Sequence, residues 1–263
     1  MNNDKSWVVN KEYRLNGGGR LALVDHMGDD RTVVEAARVS YGAGSKHYRS
    51  DEALINYLVQ NGHMSPLEFV EFHFFVRAPI FVARQWFRHR TGSYAEKSGR
   101  YSTFGEGDYF SPAIAPVEEV AEPGSELWPV AIGPIQQQAF DAYHELLEQG
   151  VPRERARAVL PLGTMTEFRY KTDLRNLLHF LELRLSPHAQ REIRVYAEEI
   201  LAFITPVVPL VVAAWEKHVL NAVTLNADEW GALIEHFGAD AIREVLVSGQ
   251  SSRSRIKHWE QKL

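Results

Sequence analysis

The 263-residue chain contains no cysteine. That absence excludes disulfides, thiolate ligation of zinc or an iron–sulfur cluster, and every mechanism with a cysteine nucleophile. Long apolar runs are missing too. The longest, Thr205–Trp215 (TPVVPLVVAAW), is broken by prolines and too short to cross a bilayer. The opening MNNDKSWVVNKEYRLNGGGR has no signal-peptide core, so a soluble cytoplasmic protein is expected. There is no excess of positive charge: 29 Lys and Arg against 34 Asp and Glu leave a net charge of −5. Neither nucleic acid nor a membrane is favoured as a partner, and any anion site must come from local arginines. GxGxxG, GxxxxGK[ST] and GxSxG are all absent, so Rossmann, P-loop and serine-hydrolase chemistry lack support.

What is present is ordinary globular material, 45% apolar and 24% charged, with ample length for a core. Apolar spacing predicts a helix over Asp30–Tyr41, ended by Gly42 and Gly44, and a second helix after the N-cap residue Ser50. Val70–Arg77 (VEFHFFVR) reads as a strand, and Pro79 opens a helix running to about Arg90. Gly105–Gly133, rich in proline, glycine and acid, reads as a surface excursion. Helical periodicity returns over Ile135–Gln149, and a short helix follows from Pro152 to near Leu160. Gly163–Tyr170 alternates like a strand, Asp173 caps the next helix, and His188–Phe203 forms an amphipathic helix. The pattern is α+β: one α-rich domain with a small mixed sheet. Residues 1–225 form its main part, and 226–263 a helical C-terminal appendage with a polar tail, counted in the same domain.

Chemistry concentrates in Arg84–Arg90 and Ser98–Tyr101. On a helix Arg84 and Arg88 stand at i,i+4 and repel unless an anion lies between them. Arg90 and Arg100 add guanidinium forks suited to phosphate, and Ser98-Gly99 offers a hydroxyl and an approachable backbone. His63–Glu68 lacks metal-ligand spacing, and no metal is expected. A further cluster comprises Arg157, Asp173, Arg175, His179, Arg184 and His188.

Arg88-His89-Arg90, seven residues, then Ser98 resembles the RHR-x7-S signature of the flavin-dependent thymidylate synthases. AARVSYG (Ala36–Gly42), GHMSPLEF (Gly62–Phe69), PIFVARQWFRHR (Pro79–Arg90), SGRYS (Ser98–Ser102), ARAVLPL (Ala156–Leu162) and LRLSPHAQREIR (Leu183–Arg194) extend the resemblance over roughly Asp25–Tyr196. Ala95 departs from the asparagine usual at its position.

The resemblance implies a homotetramer with active sites shared between subunits. It also implies FAD as cofactor, dUMP as substrate, methylenetetrahydrofolate as carbon donor and NADPH as reductant. Gln85, Trp86, Phe87, Arg88, Glu96, Lys97, Ser98, Gly99, Arg100, Arg157 and Arg184 would bind dUMP, with Arg184 the catalytic arginine that favours ionisation of the uracil. Ser65, Arg88, His89, Arg90, Glu96, Asp173, Leu174, Arg175 and His179 would contact FAD. Ser40, His63, Glu68 and His188 would stand behind these.

The missing thiol bears on mechanism. Carbon 5 of uracil must become nucleophilic, and this chain cannot add a cysteine at C6. An arginine can instead stabilise negative charge on the ring. His89, set among arginines, is expected to be neutral. A rival reading is a catalytically silent relative that binds nucleotide or RNA through the same arginines.

Overall fold

The computed structural model describes residues 12–39, 50–110 and 128–248. Strand β1 (Glu12–Leu15) and strand β2 (Gly19–Met27) form a hairpin. Its turn holds Gly17 and Gly18 at φ 79° and 86°, values that any side chain would strain. Neither strand was expected from the sequence, where Gly17–Gly19 reads as low complexity. Yet β2 alternates cleanly, with Leu21 and Leu23 fully buried.

Helix α1 (Asp30–Val39) buries Val33, Val34 and Ala37. Helix α2 (Asp51–Gln60) is capped by Ser50, whose Oγ accepts the Ala53 N–H at 3.2 Å. Strand β3 (Glu71–Pro79) turns Phe72, Phe74, Val76 and Ala78 inward and leaves Glu71, His73, Phe75 and Arg77 half-buried on the other face. Helix α3 (Ile80–Trp86), strand β4 (Ser93–Glu96), helices α4 (Trp128–Glu148) and α5 (Arg153–Ala156) and strand β5 (Met165–Asp173) follow. Asp173 then caps α6 (Leu174–Arg184), accepting the Asn176 N–H at 2.9 Å, as the sequence predicts. Helices α7 (Arg191–Ile204) and α8 (Pro209–Trp215) complete the main unit. The α7 boundary lies later than the expected His188, because Ser186 holds the His188 and Ala189 N–H groups in a turn.

The sheet order is β1-β2-β3-β5-β4. The fold is α+β as expected, but the sheet is antiparallel at every pair rather than mixed. The burial pattern gives the reason. Parallel strands need both faces covered, whereas here Arg169 and Lys171 of β5 lie exposed on the face opposite buried Phe168 and Tyr170. The inner face carries the main core, where Phe72, Phe74 and Val76 pack with Leu177, Leu181, Ile200 and Trp215. Asp30 ties α1 to α8 by accepting the Leu210 and Val211 N–H groups at 2.8 and 3.1 Å. Its burial raises the carboxyl pKa more than those bonds lower it.

A second small core joins Phe104, Phe140, Tyr143 and Ala156, fixing the loop after β4 against α4 and α5. Separately, Asn221–Leu263 form a unit of their own. Within it, α9 (Ala227–Phe237) begins with a reciprocal capping box between Asn226 and Glu229, and α10 (Ala239–Ser248) follows. Neither helix has a fully buried residue. Among the described residues no helix is long and apolar enough to cross a membrane. Ser40, the glycines expected to end the first helix, most of the Gly105–Gly133 excursion and the tail after Ser248 fall outside the described residues.

Candidate active site

Helix α3 is the organising element. It starts directly from β3, and its first N–H groups are satisfied by strand-proximal carbonyls: Ile80 donates to Thr164 at 2.9 Å and Phe81 to Leu162 at 3.1 Å. One face carries Ile80, Ala83, Arg84 and Phe87 and lines a cavity of about 260 Å³. Another buries Trp86, fully inaccessible, between Phe168, Tyr170, Phe180 and Tyr196 at ring separations of 4.9–5.7 Å. Trp86 therefore shapes the helix from inside the core and offers no side-chain surface to a nucleotide.

The helix ends at Trp86, four residues before the sequence-based boundary. The Tyr94 hydroxyl donates to the His89 carbonyl at 2.7 Å and lies 3.3 Å from that of Trp86. The His89 N–H also takes the Trp86 carbonyl, at 3.0 Å. Acceptors that would continue the helix are thus held by a turn. Arg84 and Arg88 consequently do not form the i,i+4 pair expected of them, since Arg88 lies beyond the helix.

Opposite α3 the cavity is closed by Glu96 of β4, by Lys97 and Gly99 after it, by Phe104, by Arg157 and Leu160 after α5, and by Thr166 of β5. Thr166 Oγ1 donates to Glu96 Oε1 at 2.7 Å. Lys97 lies 5.1 Å from the centre of the Phe104 ring. Gly99 is required by packing: a Cβ there would stand 2.9 Å from Phe104 Cε2 and 3.1 Å from Arg157 Cδ. Arg84, Lys97 and Arg157 have no ion-pair partner among the described residues. With one carboxylate beside three free cations, the cavity is net positive in a chain that is net negative.

A second group forms where α6 ends. Arg184 Nε donates to His89 Nε2 at 3.1 Å, and its Nη2 donates to the Gln85 carbonyl at 3.1 Å. An arginine nitrogen only donates, so His89 accepts through Nε2 and is neutral, as expected. The main cause differs from the expected one. Burial lowers the His89 pKa to about 4, with Arg184 and then His179 adding to it, rather than the flanking arginines. Burial also lowers the Arg184 pKa. Gln85 reaches across to Gln190 at 2.5 Å.

A third group pairs Arg175 with Glu68 at 2.5 Å, with Ser65 exposed in the turn that begins the same segment.

Of the residues expected at a nucleotide site, the cavity gathers Phe87, Glu96, Lys97, Gly99 and Arg157. Gln85, Trp86, Arg88, Ser98, Arg100 and Arg184 do not line it. Ser98 Oγ accepts the Arg100 N–H at 3.3 Å, and Arg100 points to Glu154 at 3.5 Å. Among the expected cofactor contacts, Leu174 is fully buried and its N–H is bound to the Val70 carbonyl at 2.8 Å, so it serves to place Arg175. Asp173 spends both carboxylate oxygens on Asn176. His179 is exposed with Glu182 3.7 Å away. His63 lies against Tyr57, and His188 is exposed. Arg88 and Arg90 are exposed without an ion pair among the described residues.

Arg84 was foreseen only as an anion-binding candidate paired with Arg88, and Ile80, Ala83, Phe104, Leu160 and Thr166 were not foreseen as cavity residues. The 80/83/84/87 spacing of one helical face was the signal for the first three. Nothing local marked Phe104 or Thr166.

The family described as thymidylate synthase complementing protein matches residues 22–210. A flavin-dependent thymidylate synthase of Thermus thermophilus is 49% identical over 251 residues, covering 93% of both chains. That of Treponema denticola is 40% identical over 265 residues, covering 96% of both. Among solved structures, the UMP/dUMP methylase PolB from Streptomyces cacaoi bound with 5-Br dUMP superposes with a TM-score of 0.68 at 32% identity, over 78% of this chain and 97% of its own. Matched over most of its length and nearly half identical to one member, this chain belongs to the flavin-dependent thymidylate synthase family.

Proposed function

We propose that this protein converts dUMP to dTMP, taking a one-carbon unit from methylenetetrahydrofolate and reducing equivalents from NADPH through bound FAD. The cavity is the observation that carries this reading. Arg84, Lys97 and Arg157 supply uncompensated positive charge for a phosphate, while Ile80, Phe87, Phe104 and Leu160 supply apolar walls for a planar base. Solved structures of the UMP/dUMP methylase PolB are bound with 5-Br dUMP and 5-Br UMP, which supports a pyrimidine nucleotide as the ligand class.

The donor set suits a flavin dinucleotide. Arg88 and Arg90 present exposed guanidinium forks that match a pyrophosphate, with Ser65, Glu96, Arg175 and His179 as further polar contacts. Leu174 and Asp173 act by positioning, since their own groups are engaged within the chain. When bound, the flavin supplies the redox step. The chain itself does three things: the cavity cations hold the phosphate, Glu96 and Thr166 offer polar contacts beside it, and Arg184 stabilises negative charge as it develops on the uracil ring. No thiol is available for an adduct, so electrostatic activation is the route open to this chain.

The expected residues fall into three groups within one subunit: the cavity, the Arg184–His89 pair, and Ser65 with Glu68 and Arg175. We take the complete site to be assembled between subunits of a homotetramer. Mixed assemblies of an Arg157→Ala chain and an Arg184→Ala chain should then recover activity that neither has alone.

The direct test is dTMP formation from dUMP, with FAD, NADPH and methylenetetrahydrofolate omitted in turn. Conversion that requires all three supports the reading. A protein that FAD cannot reconstitute to a yellow form, or that converts dUMP without folate, overturns it.

A further inference from the structure

Arg184 is held unusually well for an arginine proposed to act on substrate. Its side-on edge, Nε and Nη2, is occupied by His89 Nε2 and the Gln85 carbonyl, each at 3.1 Å. Of five N–H donors two are used, leaving three, including both on Nη1. The holder is itself held. The His89 carbonyl accepts from the Tyr94 hydroxyl at 2.7 Å, and its ring packs edge-on to Phe180 with centroids 4.8 Å apart.

We propose that His89 is a positioning residue for the reaction: its neutral imidazole, accepting through Nε2, locks the side-on edge of Arg184 so that the end-on edge is aimed at the pyrimidine. This rests on the proposed function and adds to it the acceptor that fixes Nε, leaving the Gln85 carbonyl as the one remaining hold on that edge when His89 is lost. A protonated His89 would set an N–H against the Arg184 N–H and release it. Every neighbouring charge opposes that protonation. His179 and Arg184 face the ring from α6, Arg88 and Arg90 flank it in its own turn, and α3 presents only the uncharged Gln85 and Trp86.

The test uses the full-length, FAD-reconstituted protein with 15N-labelled histidine and arginine. His89 should remain the neutral Nδ1–H tautomer from pH 8 down to 5, and the Arg184 Nε–H should exchange slowly. His89→Phe keeps the ring packing and removes the acceptor. It should abolish the slow Arg184 signal and lower kcat per bound flavin at least tenfold, with KM for dUMP within threefold. His89→Gln restores a neutral acceptor and should recover most of kcat. The inference is overturned if His89 carries its proton on Nε2 or protonates near its ordinary pH, or if His89→Phe keeps wild-type kcat at matched flavin content. Failure of the wild-type protein to make dTMP would sink the proposed reaction, whereas the resonances of the His89–Arg184 pair report on the pairing alone.

Discussion

The cavity and the end of α6 use arginine in opposite ways. In the cavity, Arg84 and Arg157 stand free of carboxylates, and Lys97 lies against a ring instead of an anion. At the end of α6, Arg184 is half-buried and engaged on two nitrogens before any ligand arrives. Free, flexible cations provide attraction for a phosphate and tolerate several geometries. A guanidinium fixed in a desolvated place provides directed charge, which matters most where charge develops during reaction. Affinity and rate should therefore depend on different residues, although both groups are built from arginine and meet at the same short helix.

The largest break in this contrast comes from Arg184→Ala. Turnover should fall on the order of 10²–10³-fold, as when a directed donor is removed from a site of developing charge, while KM for dUMP changes much less. Steady-state dTMP formation at saturating dUMP, with flavin content matched by absorbance, measures it. Gly99→Ala should do the reverse. Its added methyl pushes on Phe104 and Arg157 and should raise KM for dUMP about tenfold with a smaller effect on kcat.

Tyr94→Phe sharpens the comparison more gently. It removes the hydroxyl that ends α3 and steadies His89, and should cost about 1 kcal/mol in thermal or denaturant unfolding. A further effect is on pH. His89 has a folded-state pKa near 4 against an ordinary 6.5, so the unfolded chain takes up a proton that the folded chain refuses. Its stabilising contribution is complete above about pH 6.5 and declines as pH falls toward 4. His89→Phe should flatten that part of the melting-temperature profile, read by calorimetry between pH 7 and 5.

Much of the fold was legible because it depends on neighbours in the chain. Ser50 and Asp173 cap helices through their own side chains, and β3 shows its buried face in its alternation. The β1–β2 hairpin was overlooked because three glycines obscured the alternation beginning at Leu21. The motif residues of the site were legible too, but their roles separated in three dimensions. Trp86, within a motif block, and Leu174, expected to contact the flavin, proved to be core residues. Thr166 and Phe104, outside them, line the cavity.

The sequence by itself determined the family, the absence of thiol chemistry and the set of cations available to bind an anion, since these follow from residue identity and order. Only the tertiary structure decided which cations stay free and which one is locked. Arg184 meets His89 across 95 positions, and Tyr94 stops α3 from another element. A side chain's chemistry states how many hydrogen bonds it can make; where the backbone passes decides with whom. Helix α3 ends where the Tyr94 hydroxyl of β4 meets the Trp86 and His89 carbonyls, and that ending is what brings His89 to Arg184.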